Sequence, residues 1–433
     1  MGHCALSFGE VEDNIMSANP IDLHIIGGGI IGLTAAVMLQ SCGVNVAIID
    51  AHRIGQGASI GNAGHLAAEQ VFPIADASII RQIPAMLLNP LGALRLDWRY
   101  LLRLMPWAIQ LLMNMRPAPF NQSHQALLQL NQKSIEAWQN FSTQWQLNDW
   151  VQVRGSLLTV EKPSSVDALS AHSRRLNDLG VVNEKLSQKA LLDQEPALQN
   201  NQLAALFFPN TGHITNLSAM ITKLNLTFRQ LGGVVIEQCP VLDASVNDDG
   251  IELITQQGSI KALNVMLAAG AHSKVLAKKL TGVNVPLDTE RGYHLMLPHE
   301  QHRLTLPVSS LDRRFIMTPM DEGLRLAGTV EYAGLEAPAN MKRAQMLLNL
   351  AQPMLKAPLN SSDRQPWMGF RPSTADSLPV IDKVGRVFLN FGHQHLGLTQ
   401  AVISAQMIRN YYLNNPQTID PTPYQISRFK KPS

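Results

Sequence analysis

The sequence predicts an α/β fold: one unit built on a parallel sheet, interleaved with an α+β unit that carries an antiparallel sheet. Three observations predict it. Strand, glycine turn, helix and strand follow one another between residues 21 and 50. The same rhythm resumes after residue 204 and again near the carboxy terminus. Between them, residues 287–352 alternate in short runs broken by turn residues. A chain of 433 residues exceeds what one hydrophobic core serves. With 45% hydrophobic and 16% charged residues it is globular rather than disordered. A formal charge of +2 and the lack of any lysine-rich tract exclude nucleic acid as a partner.

Residues 1–20 read as a flexible leader ending at Asn19-Pro20, where proline punctuates the start of the first strand. Leu23, Ile25 and Ile26 then run into Gly27-Gly28-Gly29, and Gly32 opens an alanine- and leucine-rich helix that runs to Ser41. Cys42-Gly43 ends that helix, and Val44 to Ile49 forms a second buried strand closing on Asp50. Gly27, Gly29 and Gly32 fit G-x-G-x-x-G. The first glycine allows the turn, the second lets a pyrophosphate approach the backbone, and the third lets helix and strand pack closely. The helix start at Ile30 and Ile31 offers N–H groups and a positive dipole end to that phosphate. An acid roughly twenty residues on, here Asp50 followed by Ala51, is where a ribose hydroxyl is held. A dinucleotide is therefore the expected ligand, and at this point NAD and FAD fit equally.

Cys4, Cys42 and Cys239 match neither a C-x-x-C pair nor a zinc-ligand spacing, and read as free thiols of a reducing compartment; no metal is expected. The first twenty residues carry Glu10, Glu12 and Asp13 without an apolar h-region, and no stretch is an uncharged transmembrane span. A cytoplasmic location is the expectation.

The loop from Arg53 to Gly64 is crowded with small residues that let backbone lie against a flat ligand. Between 79 and 116 the chain is apolar with spaced arginines. Arg95, Arg99 and Arg103 recur every fourth residue, the spacing of one basic stripe on a helix that Pro106 kinks or ends. Trp98, Tyr100 and Trp107 add amphipathic rings suited to a headgroup zone. Two readings stand side by side: peripheral contact of 94–107 with the inner face of the cytoplasmic membrane, or a helix with a solvated basic face. An amphipathic helix is expected over 121–147, strand over 151–160, and polar helical segments to Glu195-Pro196.

From Ala204 the expected elements are a helix over 219–231, a strand over 234–237, the Pro240-Val241 turn, a small hairpin around Gly258, and an apolar strand entering Ala268-Ala269-Gly270-Ala271. Antiparallel strands cover 291–297, 314–320 and 323–331, followed by a methionine- and leucine-rich core helix over 341–355. Finally Val387 to Phe391 leads through Gly392-His393-Gln394-His395-Leu396-Gly397-Leu398-Thr399 into a closing helix.

These blocks, in this order, resemble the D-amino-acid dehydrogenase and glycine oxidase branch of the FAD-dependent amine oxidoreductases. The likeness is carried by GGGIIG with Asp50, SIGNAG at 59–64, LAAGAHS at 267–273, RGYHLML at 291–297, LRLAGTVE at 324–331, and WMGFRPSTADSLPVI through FGHQHLGLT. It implies a glutathione-reductase-type, Rossmann-like FAD domain (21–90, 204–286 and 362–433) interleaved with a substrate domain (91–203 and 287–361). It places Asp50 by the ribose, Val241 by the adenine, and Ser59, Asn62, Ala63 and Gly64 along the pyrophosphate and ring. Ala269 and Gly270 lie beside the dinucleotide, and Gly392 to Thr399 close over the pyrimidine side of the flavin. The family's covalent-flavin cysteine motif is absent, so noncovalent FAD is expected.

Arg371 matches the carboxylate-binding arginine of the family's GLRP-type motif, and a guanidinium grips a carboxylate with two parallel hydrogen bonds. Tyr293 is expected to add a hydroxyl to the same carboxylate, with Arg291, His294 and His393 as further pocket residues. His395 stands where glycine oxidases carry an arginine. The resemblance implies hydride transfer from Cα of a D-amino acid, or a cyclic imino acid such as D-proline or D-hydroxyproline, to flavin N5. The electrons then pass to a quinone or other acceptor. The alternatives are a glycine/sarcosine-type oxidase producing hydrogen peroxide, a flavin subunit that needs a partner subunit for turnover, and a non-catalytic FAD protein.

Overall fold

The computed structural model describes residues 20–74 and 94–430. The expected leader, Cys4 included, and the 79–93 part of the apolar stretch lie outside the described residues. Two sheets organise the chain. In the six-stranded sheet, Leu23–Ile26 is flanked by Val46–Ile49 and Val265–Leu267, with Val234–Ile236 outside one neighbour and Val387–Phe391 outside the other. These pair in parallel, and Val380–Val384 adds an antiparallel edge. Every residue of Leu23–Ile26 and Val46–Ile49 is buried, as a parallel sheet covered on both faces requires.

One face of that sheet carries the helices Ile30–Ser41, Pro117–Trp145, Leu217–Gln230 and Gly397–Tyr412, joined through Leu33, Trp138, Phe228 and Ala401. The other carries a three-stranded antiparallel sheet over 241–262 and the helix Ser273–Thr281, joined through Leu253, Leu276 and Phe391. Each fully buried Leu or Phe contributes about 1.5–3 kcal/mol over its exposed state.

The nine-stranded sheet runs Gln365–Thr374, Leu287–Leu297, Gly323–Tyr332, Phe315–Met320, Val308–Ser310, Ser156–Val160, Ala204–Phe208 and Glu184–Ser187, with Leu94–Leu96 paired to 330–332. All residues of Leu287–Leu297 are buried between its two neighbours and the helix Lys342–Ala351.

Three expectations change. Pro117–Trp145 falls in the range expected for the substrate domain, yet Trp138 packs on the closing helix and its indole N–H donates to the Leu398 carbonyl at 2.9 Å. Strands Ala204–Phe208 and Gln365–Thr374, expected in the FAD domain, belong to the nine-stranded sheet because their pairing partners lie far away in sequence. Residues 94–107 do not form one helix. Leu94–Leu96 pairs as a strand, Asp97 ties off a turn by accepting from the Arg99 N–H at 2.9 Å, and the helix starts at Leu101. It continues through Pro106 to Asn114. The every-fourth-residue spacing of Arg95, Arg99 and Arg103 therefore spans a strand, a turn and a helix.

Candidate active site

A cavity of about 1110 Å³ lies between the carboxyl ends of the parallel strands and the face of the nine-stranded sheet, large enough for a dinucleotide with a small substrate. At the fingerprint end, Gly27 turns with φ +107, and a Cβ there would lie 2.5 Å from the Ala268 carbonyl oxygen. A Cβ on Gly32 would lie 1.9 Å from the Gly27 carbonyl oxygen, so helix and turn touch backbone to backbone. Gly32 itself stays outside the cavity; it lets Gly27, Gly29, Ile30 and Ile31 form the wall.

Asp50 accepts from the N–H groups of Gly28 at 2.6 Å and His52 at 2.7 Å. Burial pushes its pKa up, against these bonds. Ala51, Val241, Ala269 and Gly270 complete this end. Ser59 accepts from the Ile30 N–H at 2.9 Å, tying the glycine-rich loop to the helix start.

That loop is held from beneath. Arg325, 4% exposed, donates to the carbonyls of Ile60 at 3.1 Å and Asn62 at 2.5 Å. His294 bonds the Gly61 carbonyl through Nδ1 at 3.0 Å and stacks on Trp367 with ring centroids 5.0 Å apart. The Trp367 ring fills the space where a Gly61 Cβ would stand. Asn62 and Ala63 line the cavity, while Gly64 turns away with φ +78 and its carbonyl accepts from the Ile214 N–H at 2.7 Å. Neither Arg325 nor Trp367 was singled out by spacing: each becomes a site residue only through pairing with a distant loop.

At the other end, strands Leu287–Leu297 and Gln365–Thr374 place Glu290 directly opposite Arg371. The Arg371 guanidinium lies over Gly292, where a Cβ would come within 2.7 Å of it. Gly292 is thus a seat that any side chain would fill. Among the described residues nothing hydrogen-bonds that guanidinium; Glu290 favours its charge while burial opposes it, and it opens into the cavity. Burial in turn raises the Glu290 carboxyl, with Arg371 acting against that.

Strand alternation sends Arg291 the other way, and Tyr293, which still lines the cavity, has its hydroxyl committed to that far side. Arg291 is fully buried and donates to the carbonyls of Ala333, Gly334, Ala337 and Pro338, pinning that loop. The Tyr293 hydroxyl donates to Glu331 at 2.5 Å and accepts from the Asn340 N–H at 3.2 Å. Both differ from their expected place at a substrate carboxylate, because the sheet commits their polar atoms to its far side. His294, engaged with Gly61, is a positioning residue rather than a pocket residue.

His393 and His395 do line the cavity. Both ring nitrogens of His393 are buried without a hydrogen-bond partner, and burial lowers its pKa to about 3. Burial, then the Arg371 charge, lowers His395 to about 4. Gly392, Gly397 and Leu398 share this wall. Leu396 instead packs into the core, and Thr399 accepts from the Ala67 N–H at 2.9 Å.

Residues the sequence did not flag include Leu158, Ser309, Phe315 and Ile316 on the substrate sheet, and His65 and Gln70 after the glycine-rich loop. A side cavity of about 220 Å³, lined by Glu69, Phe72 and Phe208, shares Gln70, Leu158, Ser309 and His395 with the main one. Glu69 lies 3.7 Å from His65 Nε2, and burial pushes its pKa up to about 8. Among the described residues no group of His, Cys, Asp or Glu is arranged to hold a metal ion.

The backbone cradle at Gly27 and Gly32, the acid at the end of the second strand and the orphaned ring nitrogens of His393 fit FAD. Known proteins agree. The chain is 29% identical to a D-amino-acid oxidase of Bradyrhizobium diazoefficiens, covering 94% of this chain and 98% of that one. It is 26% identical to a D-amino acid dehydrogenase of Vibrio atlanticus, covering 94% and 100%. Its fold matches the crystal structure of glycine oxidase from Geobacillus kaustophilus with a TM-score of 0.71 at 19% identity, over 95% of this chain and 99% of that one. Residues 22–411 match the family model described as DAO, FAD dependent oxidoreductase. With that match across both sheets and the cavity between them, the chain belongs to the DAO family of FAD-dependent oxidoreductases, as an enzyme acting on amino acids.

Proposed function

We propose that this protein oxidises a D-α-amino acid, or a cyclic D-imino acid such as D-proline or D-hydroxyproline, to the imino acid. Water then converts that product to a keto acid and ammonia where the amine is primary. The observation that carries the reading is Arg371: a half-buried cation seated over Gly292 and facing the same cavity as the glycine fingerprint. Bound FAD supplies the two-electron acceptor for the hydride that leaves Cα.

Arg371 grips the substrate carboxylate through two parallel charge-assisted hydrogen bonds, which fixes the directions of Cα–H, amine and side chain. Leu158, Phe315 and Ile316 present apolar walls that limit water around the bound amino acid. The side cavity at Phe72, Phe208 and Glu69 takes the substrate side chain. No side chain is required to remove a proton from Cα. His65, His393 and His395, with pKa values of about 3, 3 and 4, are poor bases at neutral pH.

The electron acceptor we assign is a quinone or other non-oxygen acceptor, reached without a partner subunit. A second reading, an oxidase forming hydrogen peroxide, is favoured by the relative named D-amino-acid oxidase. Anaerobic mixing of the yellow protein with D- and L-amino acids, glycine, sarcosine and prolines tests the substrate. Bleaching by D-enantiomers is expected; bleaching by L-enantiomers alone overturns the reading. Steady-state turnover in air and with a soluble quinone then separates the two acceptors. Absence of turnover with any artificial acceptor, despite bleaching, would point to a missing subunit.

A further inference from the structure

The helix Leu101–Asn114 rests on the substrate sheet through few contacts and leaves one face open. Leu104 and Trp107 are its buried residues. Trp107 donates to the Ser373 carbonyl at 2.9 Å and Asn114 to the Ala375 carbonyl at 3.2 Å, so the helix lies against the strand that carries Arg371. On the other side, Leu101, Leu102, Met105, Ile109, Leu112 and Met113 are 40%, 85%, 42%, 49%, 54% and 50% exposed. At roughly 100° per residue these six fall within an arc of about 120°, opposite Leu104 and Trp107. Trp98, in the turn before the helix, is 73% exposed and extends the apolar face. A contiguous patch of this kind on a folded surface marks an interaction site.

The charges around the patch identify its partner. Between Asp97 and Glu136 the sequence carries no acidic residue, and Arg99, Arg103 and Arg116 border the apolar face, all exposed. Two carboxylates adjoin it: Asp97, which accepts from the Arg99 N–H at 2.9 Å, and Glu336 from the neighbouring loop, which is 89% exposed and sits 3.6 Å from Arg103. Leu335 and Met341 of the same 333–341 loop are 38% and 37% exposed, and Lys342 follows them at the surface. A two-fold contact with a second copy would set these arginines against their own equivalents. An anionic lipid surface accepts both features, taking the apolar face between its chains and the arginines at its phosphates. Among the described residues no helix is long and apolar enough to cross a membrane. A helix of 14 residues spans roughly 21 Å, short of the hydrocarbon core, so it would lie in the interface plane.

We infer that residues 98–116 seat this protein on an anionic lipid bilayer, with Trp98, Leu102, Met105, Ile109, Leu112 and Met113 inserted and Arg99, Arg103 and Arg116 at the headgroups. The two other rings of the expected headgroup set belong to the fold: Trp107 is buried and the Tyr100 hydroxyl donates to Asp288 at 3.0 Å. This seat turns the substrate sheet toward the membrane and is independent of which acceptor takes the electrons.

Sedimentation of the full-length, FAD-loaded protein with vesicles tests it. With phosphatidylglycerol–phosphatidylcholine vesicles at low salt most of the protein should pellet, several-fold more than with pure phosphatidylcholine. The pelleted fraction should fall severalfold in 0.5 M salt, since exposed charges are screened. The double variants Leu102→Glu/Ile109→Glu and Arg99→Gln/Arg103→Gln should each lose most of the binding, while dye-linked turnover and Tm stay as in the parent. The inference is overturned if the parent does not pellet, or if neither variant changes the pelleted fraction. It is also overturned if Leu102→Glu/Ile109→Glu lowers Tm or converts a dimer to a monomer, which would assign the face to the chain itself or to a second copy. Vesicle binding and quinone reduction are separate readouts, so failure of the lipid seat leaves the proposed chemistry standing.

Discussion

The two ends of the cavity both depend on a glycine with no room for a Cβ, and they use it differently. At the fingerprint end, the obstacle to a Gly32 side chain is the Gly27 backbone oxygen at 1.9 Å, which cannot move without shifting the turn. At the substrate end, the obstacle at Gly292 is the far end of the Arg371 side chain at 2.7 Å, which can. The first arrangement is made within one strand–turn–helix unit, the second by two strands about eighty residues apart in sequence that meet only by register. One end is a rigid backbone cradle, the other an adjustable side-chain grip.

The largest effect that would sharpen this contrast is loss of cofactor. Gly32→Val should give a folded or partly folded protein that emerges colourless and does not retain FAD on gel filtration, because strand and helix can no longer close. Retention of stoichiometric flavin by this variant would break the account of the fingerprint end.

Next come the two arginines of the substrate ribbon, which look alike in the sequence. Arg371→Leu should keep its flavin spectrum and lose about 10²–10⁴ in kcat/KM. That is the size expected for two charge-assisted hydrogen bonds of about 1.5–3 kcal/mol each. Arg291→Leu should instead lower stability by about 3–5 kcal/mol in denaturant unfolding, since it strands four carbonyls and leaves Glu331 without the cation 3.8 Å away. A variant pair with the opposite pattern would mean that the faces of strand Leu287–Leu297 are assigned the wrong way round. Smaller again is Gly292→Ala: about a tenfold rise in KM for the amino acid with FAD content unchanged, because the guanidinium is displaced but still present.

The same contrast decides how much of the site is legible in the sequence. Gly27, Gly29, Gly32 and Asp50 were legible because their chemistry is local: spacing alone fixes who meets whom. Arg371 was legible as part of a resembling block, but its seat on Gly292 was not, since that follows from cross-strand register. Parity does carry a usable signal. If Gly292 is the open position facing Arg371, then the polar atoms of Arg291 and Tyr293 on either side of it must face away and cannot reach the same carboxylate. The basic spacing at 95, 99 and 103 misled because a period of four was read as a helix. Pairing of Leu94–Leu96 with the strand at 330–332 outweighed that local pattern. Arg325 and Trp367 stand inside resembling blocks, but their places under the glycine-rich loop follow only from partners far along the chain.

The smallest expected effect separates the ends by titration. Glu69, in the side cavity of the substrate end, has its carboxyl raised from 4.5 to about 8 by burial, and its Oε2 is buried without a hydrogen-bond partner. A raised carboxyl is held neutral by the fold, so the unfolded chain releases the proton first. Stability present below about pH 4.5 is then lost progressively as pH rises toward about 8 and stays level beyond it. Glu69→Gln keeps the shape and removes the titration. Its Tm should match the parent near pH 4.5 and exceed it by a margin that grows to a few degrees at pH 8. The histidines of the cavity wall act in the acid direction, their folded pKa values lying below 6.5, and lower stability as pH falls from 6.5 toward about 3 in parent and variant alike. The difference between the two melting curves therefore isolates Glu69. A constant offset across pH 5–8 would show that this carboxyl ionises freely in the folded protein, and that the side cavity presents an anion rather than a neutral acid to the substrate side chain.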